Sequence, residues 1–233
     1  MPPVVGYIPI ATTIVALVFA TELFRRWRAR GGPHHLWFAI GALTYAAGTI
    51  TESATTLFGW HAGVFRAWYI TGALLGGAPL AQGAVYLHLQ RRTANILSVV
   101  LVTAIVVASA CVIASPIHTE LVEPFRLTGK VLAWGWVRAF SPFINTYAAA
   151  FLIGGAIKSA WFYSRSRETR DRMIGNILIA VGALLPGIGG TATRFGHTEV
   201  LYVTEFVGLL LIYAGYRYSV GTTRAPGLAS TAA

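Results

Sequence analysis

Seven stretches of this chain are long, apolar and nearly free of charge, at about 4–24, 35–58, 64–88, 94–116, 131–160, 173–193 and 199–218. A bilayer core about 30 Å thick takes roughly 20 helical residues to cross, at about 1.5 Å of rise each. Each stretch meets that length, and the connections between them are short, so neighbouring helices are expected to run antiparallel. Charged residues make up 11% of the 233 residues, against roughly 25% in a soluble domain, too few to cover a water-facing surface. The expected fold is therefore all-α: a polytopic membrane protein with one domain of seven transmembrane helices over 1–220. The small, polar remainder, 221–233, reads as a disordered cytoplasmic tail.

The basic residues orient the bundle. Arg25, Arg26, Arg28 and Arg30 follow helix 1, and Arg91 and Arg92 follow helix 3. Lys158, Arg165, Arg167, Arg170 and Arg172 follow helix 5, and Arg217 and Arg224 follow helix 7. The opposite loops hold only Arg126, Lys130 and Arg194. An excess of Lys and Arg marks the cytoplasmic side, which places the N-terminus outside and the C-terminus inside a plasma or inner membrane. The net charge of +10 then reads as arginine facing anionic headgroups of the lipid bilayer. No basic stripe interleaved with aromatics points to nucleic acid. Positive charge follows the first apolar run instead of preceding it, so helix 1 is expected to be retained and not cleaved as a signal peptide. The single cysteine, Cys111, excludes an internal disulfide and any multi-cysteine metal site.

An internal repeat connects the two halves. Ile40–Gly48 and Val181–Gly189 share four of nine residues, and His61–Leu75 and His197–Leu211 share five of fifteen. Both members of the second pair come just after a Phe-Gly, Phe58-Gly59 and Phe195-Gly196. Matched helices cross in the same direction, so the expected arrangement is 3+1+3, with parallel repeats and helix 4 as a lipid-facing connector. In this topology the chain resembles seven-helix proteins such as the SWEET and PQ-loop carriers of sugars or amino acids. Opsins and receptors share the helix count, and the chain is also similar to the seven-helix sensory regions fused to bacterial histidine kinases. The resemblance implies transport or ligand sensing but transfers no functional residue. Pro9 and Pro142 precede Ile10 and Phe143, so the Pro-Gln pair is absent. The only lysines are Lys130 and Lys158, so helix 7 has none for a retinal Schiff base.

Ionisable residues inside a membrane are costly, and each is a functional-site candidate. Glu22 and Lys158 sit at helix ends and can snorkel. Glu52, Arg66, Arg138 and Glu205 fall at one depth, within roughly 10 Å of the outer interface. Three accounts fit them: a structural ion-pair network, an outward-facing polar pocket, or separate snorkelling. Trp68, Tyr69, Trp134, Trp136, Phe140 and Tyr202 at similar depth suit a pocket lining or an aromatic belt. Gln82, Asn145 and Asn176 are further polar candidates, for binding or for hydrogen bonds between helices. Gly76, Gly77 and Pro79 in helix 3, with Pro186 and Gly187 in helix 6, predict helix breaks near mid-membrane, where carriers place gates and sites.

Histidine and catalytic patterns add little. His61, His197 and Glu199 are candidate metal ligands, yet no His-x-x-x-His spacing supports them, and no cofactor is expected, with haem or metal left open. There is no Gly-x-Ser-x-Gly, phosphate-binding loop or His-Glu-x-x-His, so an enzyme is not the expected reading. The favoured function is a small-solute or ion carrier or channel for an unidentified small-molecule ligand. A receptor-like module acting through a cytoplasmic partner and a haem or metal redox protein are the alternatives. Association into a homo-oligomer stays open.

Overall fold

A computed structural model describes residues 4–221. Arg224 and the tail expected after Gly221 lie outside the described residues. The helices are α1 (Ile8–Arg30), α2 (Pro33–Phe58), α3 (Ala62–His88), α4 (Arg91–Ala114), α5 (Gly135–Tyr163), α6 (Arg170–Arg194) and α7 (Thr198–Gly221). Among the described residues there is no strand, only two isolated bridges, Ile117 with Leu132 and Glu123 with Arg126.

Six of these helices are long and apolar enough to cross a membrane, the composition of an integral membrane protein. The exception is α2, which is 26 residues long but falls short in apolarity. Its sequence explains why. Thr44, Thr49, Thr51, Ser53, Thr55 and Thr56 crowd one helix together with Glu52. Protein covers them: Thr49, Glu52, Thr55 and Thr56 are buried. Most of these hydroxyls donate to carbonyls three or four residues back in α2, which hides their polarity.

Packing follows a ring. The helices touch in the order α1, α2, α3, α5, α6, α7 and back to α1, with α4 outside against α3 and α5. On α4 the residues Ile96, Val99, Val100, Val106 and Ile113 are exposed, so this helix turns an apolar face away from the ring. One buried polar residue holds it in place. Gln82 of α3 is fully buried and donates to Ala94 O at 3.1 Å and Ser98 Oγ at 2.8 Å on α4. It also accepts from the Tyr147 hydroxyl of α5, so its role is to join three helices.

The ring closes between α1 and α7 at the arginine-rich end. Phe19 packs on Tyr213 and Tyr216, with ring centroids 5.0 and 5.4 Å away. Glu22 does not simply snorkel: it accepts from the Tyr213 hydroxyl at 2.8 Å and from Arg217 at 3.4 Å.

Glycine brings α6 and α7 together. Gly175, Gly182 and Gly189 recur every seventh residue, the spacing that keeps one face toward a neighbouring helix. A Cβ on Gly182 would lie 2.6 Å from Gly208 O, and one on Gly175 2.6 Å from Gly215 O. The two backbones therefore touch. This close approach accounts for the first correction to the sequence reading. The break expected at Pro186 and Gly187 is absent, and α6 runs unbroken through both. Proline deprives Gly182 O of its helical donor, and that carbonyl lies against the side-chain-free backbone of Gly208 on the neighbouring helix.

The break expected in α3 is present. The segment Tyr69–Leu74 is wound as a π-helix, and regular helix resumes only at Ala78, with Pro79 in its first turn. A Cβ on Gly77 would stand 3.3 Å from Ala148 Cβ of α5, so glycine permits that approach. The turns Phe58-Gly59 and Phe195-Gly196 both use left-handed glycines, with φ of 82° and 101°.

Candidate functional site

The ring encloses a cavity of about 830 Å³. Its wall is built from α2 (Tyr45, Gly48, Thr49, Glu52), α3 (Trp68, Tyr69, Gly72, Gly76, Gly77), α5 (Arg138, Ser141, Asn145), α6 (Pro186, Gly187, Gly190) and α7 (Leu201, Glu205). Of the residues singled out from sequence, Glu52, Trp68, Gly76, Gly77, Arg138, Asn145, Pro186, Gly187 and Glu205 meet there. Arg66, Pro79 and Tyr202 do not line it.

Glu52 is the most constrained polar group. It is 3% exposed, and its Oε1 accepts from the Trp68 indole N–H at 3.0 Å. Its Oε2 is buried and receives no N–H. Glu205 of α7 lies beside it, and the carboxyls of the two residues interact directly. Tyr45 ties the helices carrying them, its hydroxyl donating to Glu205 O at 3.0 Å. Tyr202 is buried close to both carboxyls.

The four-charge ion-pair network does not form. Among the described residues no ion pair reaches Glu52, Glu205, Arg66 or Arg138. Arg66 turns to α4 instead, donating to Ser115 O at 3.2 Å, where a cation suits the negative end of that helix. The sequence places Arg138 about seven residues into a span. The helix starts later than that, at Gly135, and its first turn is 3₁₀ up to Ala139. Arg138 thus sits exposed at the end of α5, with Nε donating to Gly135 O at 3.3 Å.

Asn145 acts as a helix cap in mid-wall. The winding of α3 leaves Ala73 O outside the regular ladder. Ser141 Oγ donates to it at 3.0 Å and Asn145 Nδ2 at 3.2 Å. Backbone groups in a membrane interior need such internal partners, so α5 stabilises the break in α3.

Part of the wall has no counterpart in the sequence reading. The segment between α4 and α5 folds across the end of the ring and contributes Arg126, Leu127, Thr128, Gly129 and Lys130. His118 N donates to Val131 O at 2.9 Å, and Ala133 N to Pro116 O at 3.0 Å. Leu127, Val131 and Leu132 are buried in the core that includes Phe65 and Tyr69. Trp60 N donates to Pro124 O at 2.7 Å, and Arg126 Nε to Thr198 Oγ1 at 3.1 Å, which anchors the segment at both sides. The apolar spacing of Leu127, Val131 and Leu132 was the available signal; it merged with the start of helix 5 in the sequence.

The histidines stay peripheral. His197 lies 3.6 Å from Glu199 and His118 lies 2.8 Å from Glu120, all four exposed, while His61 precedes the first turn of α3 without capping it. No group of three metal-ligating side chains occurs among the described residues. Compared with protein-family models, curated proteins and solved structures, the chain matches none of them.

Proposed function

We propose that the chain is a membrane carrier for a small polar solute, with the cavity as its binding site. One observation carries the reading: a large cavity inside the helix ring is lined by two buried carboxyls in contact, Glu52 and Glu205, and abuts a broken helix. Ionisable side chains at membrane depth are costly, so two carboxyls buried side by side mark a candidate site. Breaks of this kind mark the sites of carriers.

In this reading α2 crosses the bilayer with the other six helices, its hydroxyls covered by the ring. The packing order around the ring supports a 3+1+3 arrangement. A half-turn that exchanges α1, α2 and α3 with α5, α6 and α7 also exchanges the α1–α7 interface with the α3–α5 interface. The arginine-rich loops then face the cytoplasm and the cavity lies toward the outside. A fluorescent protein fused to the C-terminus is expected to fluoresce, and alkaline phosphatase fused there to stay inactive. The opposite pair of results would invert the orientation.

Plugging the cavity tests the carrier reading. A Cβ at Gly190 meets nothing within 4 Å, so a phenyl ring there fills open space without moving backbone. Reconstituted in liposomes, the protein is expected to move members of a panel of amino acids, sugars, organic cations and carboxylates. Gly190→Phe is expected to reduce that flux at least tenfold while the melting temperature is kept. Undiminished flux through the plugged variant would remove the cavity from the pathway. Binding without flux would favour the receptor-like reading.

A further inference from the structure

We propose that the solute is a zwitterion, its ammonium held by Glu52 and Glu205 and its carboxylate by Arg138. This inference rests on the cavity being the solute site. Glu52, Glu205 and Arg138 line the same cavity, yet among the described residues none of them enters an ion pair. Opposite charges placed for packing alone would gain by direct pairing, whereas here the two carboxyls contact each other and the guanidinium pairs with neither. Kept apart, they leave both ends of a site for a molecule that brings the complementary charges itself.

The hydrogen bonds point the same way. The Trp68 indole occupies Glu52 Oε1, and Oε2 receives no N–H, so an ammonium would reach Glu52 together with the adjoining Glu205 carboxyl. Arg138 uses Nε on Gly135 O, and among the described residues no carboxylate engages its guanidinium. The outer N–H groups of a guanidinium form a planar fork suited to a carboxylate. Between the two ends lie aromatic rings. Trp68 and Tyr69 have centroids 6.1 Å apart, and Tyr69 packs beside Gly129, where the Arg138 side chain also approaches. Their faces attract an ammonium group and shield it from water. A solute with a single charge would leave one end of this site uncompensated, so the arrangement also selects against it.

Charge-deleted analogues decide the matter. Purified full-length protein in detergent is titrated with the common α-amino acids, with amines lacking the carboxylate and with acids lacking the ammonium. For phenylalanine these are phenethylamine and 3-phenylpropionate; neutral sugars complete the panel. At least one amino acid is expected to bind tenfold or more tightly than both its analogues. In Arg138→Gln the affinity for that amino acid falls to the level of its amine, and in Glu52→Gln to that of its acid. Arg138 is exposed at a helix end, so its variant serves should Glu52→Gln fail to fold. An amine that binds as tightly as the amino acid makes the site a cation site, and an acid that does so makes it an anion site. Preference for a sugar would equally overturn the zwitterion while leaving the cavity as a solute site. If no compound of any class binds and none is transported, the carrier reading falls with it.

Discussion

Replacing Gly182 with leucine is expected to leave little folded protein in a detergent extract. The Cβ alone would stand 2.6 Å from Gly208 O and 3.0 Å from both the backbone N and a side-chain carbon of Ile212. Two of these three atoms are backbone, so no rotamer change relieves the clash, and α6 and α7 must separate. Overpacking a well-fitted interior costs about 1–3 kcal/mol and occasionally more. The same helix supplies its own control. Gly187 and Gly190 meet nothing within 4 Å, so alanine at either is expected to be neutral or to stabilise by up to about 1 kcal/mol through helix propensity. Gly182→Leu and Gly187→Ala thus shift the melting temperature in opposite directions, or not at all for the latter. A Gly182→Leu protein that melts like the parent would show that the two backbones do not touch.

Gly76→Val is expected to be the second most damaging change, and to affect both stability and transport. A Cβ at Gly76 would lie 2.5 Å from Gly72 O, the carbonyl to which Gly76 N donates at 3.1 Å. The turn after the π segment must therefore rearrange, and Ala73 O moves with it, away from Ser141 and Asn145. Destabilisation of about 1–3 kcal/mol follows from the clash. The cavity floor moves too, so flux is expected to fall further than the loss of folded protein explains. Gly72→Ala is the comparison: its Cβ would meet the Trp68 indole at 3.5 Å, an ordinary separation, and stability should be preserved. Equal melting of Gly76→Val and the parent would mean that α3 needs no glycine at its break.

The interruption of α3 was legible in advance because Gly76, Gly77 and Pro79 cluster, and local chemistry sufficed to end a helical ladder. The corresponding expectation at Pro186 failed because one proline inside a helix leaves the outcome to its neighbours. Here the neighbour is Gly208, whose backbone lies against the freed carbonyl. The glycines at 175, 182 and 189 carried the signal as a seven-residue period, but only a facing helix gives that period meaning. Rise per residue grouped Glu52, Arg66, Arg138 and Glu205 at one depth, but Arg66 turns to α4 and Arg138 sits in the exposed first turn of α5. Which of them touch was not legible, because depth leaves open the rotation of each helix about its axis.

The long apolar segments and the one-sided arginines determined by themselves that this chain is helical and suited to a membrane. Both properties depend on residue type and spacing along the chain, and bilayer thickness acts on each segment separately. The ring, the cavity and the separation of its charges arise only when helices from distant parts of the chain meet. Glu52 shows the difference. Its sequence position marked a carboxyl at membrane depth, whereas only the tertiary structure set the Trp68 indole on one oxygen and the Glu205 carboxyl beside it.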